Sequence, residues 1–355
     1  MRRRVAAGVG FAALLFLLVQ LGALALVPTF YEQGYQTVED PSDPTNSLLY
    51  IGAILVATAA MLAAFKFDLD WLVQGFVVLA AASLAWYVFS VFLSPLAAIG
   101  ASLVLAALLV VHPEWYVIDA AGVLMGAGAA GLFGISFGLL PAIVLLSILA
   151  VYDAISVYGT EHMLDLAEGV MDLNLPVVLV VPTTLSYSLL DAKTAAVDDG
   201  DELSATYTDG AGAETAETAS EGDTESESDE SDEAPMAAAE TPADEDGVPA
   251  DEDDVRDAFF IGLGDAVMPT VIIASAAFFL PASLAPSLGV PGLPALNLPA
   301  LTAMVGTFAG LFTLLWMVLK GRAHAGLPLL NGGAIGGYLV GALATGVPLL
   351  TALGL

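Results

Sequence analysis

Phe259-Phe260-Ile261-Gly262-Leu263-Gly264-Asp265-Ala266-Val267 lies inside an apolar run from Ala258 to about Leu284, and Asp265 is the only carboxylate in that run. A charged side chain at the centre of a bilayer costs about 2.5–3.5 kcal/mol on insertion scales, so an intramembrane aspartate is a functional candidate by default. A second lone carboxylate, Asp153, follows Tyr152 in another apolar run, Leu139 to Tyr158. Two carboxyls that face each other from neighbouring helices can share a proton, and such a pair can activate water.

Working outward, the composition fits a membrane setting. Hydrophobic residues make up 57% of the 355, and the mean hydropathy is +0.82, too apolar for an ordinary soluble domain. The net charge of −31 is mostly local, because 24 of the 39 acidic residues lie between Asp191 and Asp254. That tract is rich in Asp, Glu, Ser, Thr, Ala, Gly and Pro, with Tyr207 as its only aromatic. It has too little apolar surface to offset chain entropy and reads as a disordered, solvated loop suited to a salty cytoplasm. Cysteine is absent, which excludes disulfides, zinc–thiolate sites and cysteine nucleophiles. Acidic tracts repel phosphate, so no nucleic-acid partner is expected.

Runs of about 17 to 25 apolar residues read as spanning helices. Nine are expected, over about 5–26, 47–65, 71–93, 95–111, 115–136, 139–158, 258–282, 299–319 and 327–352. Arg2-Arg3-Arg4 leads into the first, which is too long for a signal-peptide core. There are eight basic residues: Arg2, Arg3, Arg4, Lys66, Lys193, Arg256, Lys320 and Arg322. With the N-terminus in the cytoplasm and nine crossings, all eight fall on the cytoplasmic side, as basic residues prefer. The C-terminus is then outside, the loop from Pro28 to Asn46 is outside, and the acidic loop is inside. The expected parts are residues 1–182, holding six spans, an acidic loop over 183–256, and residues 257–355, holding three spans.

Between the sixth span and the loop, Glu161, Asp165, Glu168 and Asp172 recur at helical spacing opposite Met163, Leu166, Ala167 and Val170. This predicts a short amphipathic helix at the inner interface. Pro176-Val177-Val178-Leu179-Val180-Val181-Pro182 is β-branched and too short to span. It reads as a strand that needs a pairing partner near lipid. Asp119, near the start of the fifth span, reads as interfacial.

Both key aspartates fall in the inner half of the bilayer. Asp153 stands about five residues before the end of its run and Asp265 about eight past the start of its own, roughly 8 and 12 Å deep at 1.5 Å per residue. Gly262 and Gly264, lacking a Cβ, predict a close approach to the neighbouring helix and loosened first turns.

The chain here resembles the presenilin and signal peptide peptidase family of intramembrane aspartyl proteases. The matching residues run in order: Tyr152-Asp153 in the sixth span, Gly262-Leu263-Gly264-Asp265 in the seventh, and Ala325-Gly326-Leu327-Pro328 opening the ninth. The last corresponds to the family's Pro-Ala-Leu-Pro string, with Ala325 and Gly326 in place of its first two residues. The resemblance implies an all-helical, nine-span membrane fold and hydrolysis of peptide bonds in transmembrane segments of substrate proteins or signal-peptide remnants. Asp153 and Asp265 would be the catalytic pair, with Tyr152, Gly262, Leu263, Gly264, Ala325, Gly326, Leu327 and Pro328 around the substrate. It implies no metal and no organic cofactor. One carboxylate would act as base on a shared water while the other, protonated, polarises the scissile carbonyl.

A helical peptide bond is shielded by its own hydrogen bonds, so the substrate must unwind. Pro328 biases Leu327 toward an extended conformation, and backbone near Leu327 or along the 177–181 strand could receive the unwound substrate by strand addition.

Other readings fit fewer residues. Gly134-Ile135-Ser136-Phe137-Gly138 has the spacing of a serine nucleophile elbow without its strand-to-helix setting, and the three histidines, His112, His162 and His324, lie near the opposite side. No His-Glu-x-x-His cluster is present. Type IV prepilin peptidases also use a Gly-x-Gly-Asp string with a second aspartate but resemble this chain less well, since the nine-span layout, Tyr152-Asp153 and Leu327-Pro328 favour the presenilin-like reading. A proton-coupled transporter or channel could use the same aspartates, but the halves show no internal repeat.

Overall fold

The computed structural model describes residues 2–67, 69–159, 178–182, 184, 187–190, 258–320 and 325–355. Their order is α1 (Arg2–Glu32), α2 (Thr45–Lys66), α3 (Asp70–Phe92), α4 (Pro95–Val111), α5 (Trp115–Ser136), α6 (Leu139–Gly159), β1 (Val178–Pro182), β2 (Ala258–Gly262), α7 (Leu263–Phe279), α8 (Leu298–Val318), α9 (Gly326–Ala344) and the single turn α10 (Leu349–Ala352). The predicted amphipathic helix over 161–172 and the acidic tract from Asp191 to Asp254 lie outside the described residues, as do Lys193, Arg256, Arg322, His162 and His324.

A helix stands at each of the nine expected places. Seven are long and apolar enough to cross a membrane, and α4 and α7 are apolar but shorter, at 17 residues each. The membrane setting shows in what is left exposed. Leu49, Val56, Phe76, Leu79, Leu96, Leu103 and Val111 on α2, α3 and α4 face outward, which suits lipid and would be costly in water.

Three boundaries differ from expectation. The first helix runs through Pro28 to Glu32 because Val27 and Phe30, on either side of the proline, are fully buried. Residues 258–262 are strand rather than the start of the seventh helix: Phe259-Phe260-Ile261 suits either period, and the pairing decides it. β2 is the partner that the Pro-bounded strand needs, in antiparallel register from Val178↔Gly262 to Pro182↔Ala258. The ninth helix stops at Ala344, where Gly346 adopts a left-handed φ of 80° and Val347 N–H returns to the Ala342 carbonyl at 3.0 Å, a helix-terminating pattern that glycine favours.

Small residues set the packing. Helix α5 lies against α1, α3 and α7. At Gly134 a methyl group would collide with Ala274 of α7, 3.2 Å from its carbonyl carbon and 3.3 Å from its Cα, so only glycine permits that approach. Helices α8 and α9 touch backbone to backbone along Gly306, Gly310, Gly333, Gly337 and Gly341. One apolar cluster joins α1, α5, the sheet and the start of α7, and another joins α6, the rest of α7, α8 and α9.

Candidate functional site

Asp153 lies in the last two turns of α6, and Asp265 is the third residue of α7. Both side chains are withdrawn from the surface, at 1% and 2% exposure. Asp265 thus stands in the first turn of its helix rather than two turns in, because the residues before it are strand. That turn exposes unsatisfied backbone N–H groups and the positive end of the helix dipole, a favourable place for a carboxylate. Gly262 makes the junction: φ −57° and ψ 133° close β2, and the helix begins at the next residue.

Helices α6, α7 and α9 are mutual neighbours. Asn331 of α9 ties the group together, its Nδ2 donating to the Leu146 carbonyl of α6 at 3.0 Å. At the end of the bundle that holds both aspartates, the Leu327 N–H of α9 donates to Asp153 Oδ2 at 3.0 Å. Ala325, the residue before α9, offers no side-chain cap, and the carboxylate from α6 fills that role. The end of α6 and the start of α9 are thereby joined, and both helices pack against α7.

The remaining sequence-predicted residues divide by environment. Ala325 and Gly326 are buried, while Leu327 and Pro328 are half-buried. Leu327 is helical, not extended. Pro328 sits in the first helical turn, where a missing N–H costs no intrahelical bond, and Ala325 is the extended residue instead, with φ −61° and ψ 125°. Tyr152 is 40% exposed, so it faces a different way from the buried Asp153 beside it, as a 100° rotation per residue dictates. Leu263 is buried and packs toward Gly126 of α5. Gly264 is exposed, and a methyl group there would meet nothing within 4 Å. Close helix approach therefore belongs to α5 glycines such as Gly126 and Gly134, and Gly264 instead leaves open space beside Asp265.

Two backbone donors that the sequence offers to a substrate are engaged. One is Leu327 N–H, on Asp153. The other is Val180 N–H of β1, which donates to Asp119 Oδ1 at 2.7 Å. Asp119 is not interfacial: it is 4% exposed, and its Oδ2 is buried without a hydrogen-bond partner among the described residues. Glu114, at the cap position of the same helix, is also buried. It accepts from Ser188 Oγ at 2.7 Å and from Leu189 N–H at 3.1 Å. The signal for Asp119 was a lone carboxylate among Val117, Ile118 and Ala120; nothing local names its partner, 61 residues away.

Ser136 does not form a hydrolytic dyad with His112. The two flank opposite ends of α5, and Ser136 Oγ accepts from the Thr37 N–H at 3.2 Å and the Thr37 hydroxyl at 3.0 Å. His112 Nε2 pairs with Tyr116 Oη at 2.7 Å. Among the described residues no three ligating side chains cluster as a metal site.

The arrangement was compared with known proteins. A family profile described as signal-peptide peptidase, presenilin aspartyl protease matches residues 13–347. Two solved structures of a presenilin family intramembrane aspartate protease share 28% identity with the chain. The form in space group C222 covers 95% of this chain and 99% of its own with a TM-score of 0.57. The form in space group P2 covers 94% and 96% with a TM-score of 0.55. None of the curated proteins compared matches the chain.

Proposed function

The chain belongs to the signal-peptide peptidase and presenilin family of intramembrane aspartyl proteases, and on that premise we propose that Asp153 and Asp265 share the water that attacks the scissile peptide bond. The observation that supports this is that two buried aspartates stand on the neighbouring helices α6 and α7, with the Leu327 N–H of α9 on Asp153. In this reading one carboxylate takes a proton from the water as its oxygen adds to the carbonyl carbon. The other, protonated, gives its proton to the carbonyl oxygen. Collapse of the tetrahedral intermediate returns a proton to the leaving amine and breaks the C–N bond. The pair acts as a Gly-x-Gly-Asp type of dyad, with its proton belonging to the pair rather than to either residue.

The substrates are transmembrane segments of other proteins, including remnants of signal peptides. We place the unwound substrate backbone over Gly264, where the open space lies directly before Asp265. A substrate strand added to the β1–β2 sheet would run toward that point, since the sheet ends at Gly262. In the same reading the N-terminus and the 183–256 loop are cytoplasmic, the C-terminus is outside, and the loop divides a membrane body of residues 1–182 and 257–355.

The test uses purified protein with a single-span substrate in detergent or vesicles. Asp153→Asn and Asp265→Asn should each lower cleavage by at least about a hundredfold, the lower range for general acid–base groups. Cleavage that survives in either variant rules out the shared water.

A further inference from the structure

We propose that Asp119 is a positioning residue for this reaction: by holding Val180 it fixes the register of the β1–β2 sheet and so the placement of Asp265 against the peptide bond. The inference rests on the proteolytic reading above and adds a residue to it.

The connection is short. Val180 pairs with Phe260, and its N–H is donated at 2.7 Å to Asp119 on α5, so that group points away from β2, as alternate residues of an antiparallel ladder do. From Phe260 the ladder runs two residues to Gly262, which pairs with Val178. Helix α7 begins at the next residue, and Asp265 is its third. No flexible segment separates the anchored strand from the aspartate.

The sheet needs such an anchor. Two strands alone are marginally stable, and a one-residue slip turns every side chain to the other face. A two-residue slip keeps the faces but moves β1 along β2, which continues into α7, by about 7 Å and carries Val180 away from Asp119. Leu179, Val181 and Ile261 are buried on one face of the sheet and Val180 on the other, so apolar burial opposes the first slip only weakly. They do not by themselves forbid the second, because aliphatic residues replace one another at two-residue spacing. A buried carboxylate bonded to one particular backbone N–H does. Glu114 adds a second fixing point. It stands five residues earlier on the same helix and holds Ser188 and Leu189 beyond the strand. Helix α5 thus grips β1 and the stretch after it with two buried carboxylates, neither of which belongs to the dyad.

The experiment compares Asp119→Leu, which removes the acceptor and keeps the side chain's heavy-atom count and branching, with Asp119→Asn, which keeps an oxygen for Val180. Amide hydrogen exchange of residues 178–182 and 258–262, cleavage rate, and the termini of the products are measured on each full-length protein. Asp119→Leu should speed exchange in both strands at least tenfold, lower kcat at least tenfold, and spread cleavage over more than one peptide bond. Asp119→Asn should restore all three. Should Asp119→Leu fail to accumulate, Asp119→Thr, whose hydroxyl falls short of Val180, supplies the same comparison with smaller shifts. Wild-type exchange with a single cut site in the acceptor-less variant overturns the proposal. So does a lowered melting point whose activity loss vanishes on cooling, with the cut site unmoved. A wild-type protein that cleaves nothing refutes the proteolytic reading and with it the cleavage role, whereas the exchange data still decide whether Asp119 holds the sheet.

Discussion

Replacing Gly306 by alanine should force α8 away from α9. The added Cβ would overlap the Gly333 carbonyl oxygen, lie 2.8 Å from its carbon, and lie 3.2 Å from the Gly337 Cα. All three are backbone atoms of a packed helix and cannot rotate aside. Ordinary contact begins near 3.4 Å, so the helices must part by at least about 0.6 Å at the carbon alone, and further at the oxygen. Overpacking of this kind costs about 1–3 kcal/mol, and rigid backbone neighbours place Gly306 at the upper end. Alanine returns up to about 1 kcal/mol through helix propensity, leaving a net loss of about 2 kcal/mol. Gly332→Ala is the matched control: same helix pair, nothing within 4 Å of the new Cβ, and a gain of up to about 1 kcal/mol. Thermal unfolding of the purified proteins in one detergent should separate the two variants by several degrees, Gly306→Ala melting below wild type and Gly332→Ala at or above it. If the two melt together, the backbone contact between α8 and α9 is not what holds that pair.

The site makes its own predictions. Leu327→Pro removes the N–H on Asp153 at a position in the first helical turn that tolerates proline; loss of a charge-assisted hydrogen bond worth about 1.5–3 kcal/mol should lower the melting point by a few degrees and kcat roughly tenfold or more at a temperature where the variant is folded, and an unchanged kcat would remove Leu327 from the site. Gly264→Ala should fold at least as well as wild type, because its methyl meets open space, yet raise KM or lower kcat by obstructing the substrate backbone; full activity would place the substrate elsewhere. Glu114→Gln keeps an acceptor for Leu189 N–H and should leave melting and cleavage near wild type, whereas Glu114→Ala should speed amide exchange at 188–190; equal exchange in the two would deny Glu114 its anchoring role.

Much of the fold was legible because lipid makes the apolar runs long and the exceptions conspicuous. Each expected span has a helix at its place, and Asp153 and Asp265 stood out as lone charges in hydrocarbon. What stayed hidden depends on partners far along the chain. Phe259-Phe260-Ile261 fits a helix or a strand equally by hydropathy, and it becomes strand because Val178–Pro182, some eighty residues earlier, pairs with it. The bond from Leu327 to Asp153 spans 174 residues, so no local pattern shows that the N–H is already engaged. Pro328 disfavours helix at Leu327 locally, yet a carboxylate from another helix supplies the cap that lets α9 start there. Asp119 looked like a boundary residue because its position in the run was visible and its partner was not.

The glycine seam between α8 and α9 has a mechanical consequence. With backbone against backbone along most of the seam, little can repack and the two helices act as one stiff bar. The end nearest Asp153 carries Leu327, and Tyr338, near the other end, is bonded to the Ala352 carbonyl outside α9. The nineteen residues of α9 make a lever arm of about 28 Å. A tilt imposed at the far end is delivered to Asp153 as displacement rather than absorbed on the way.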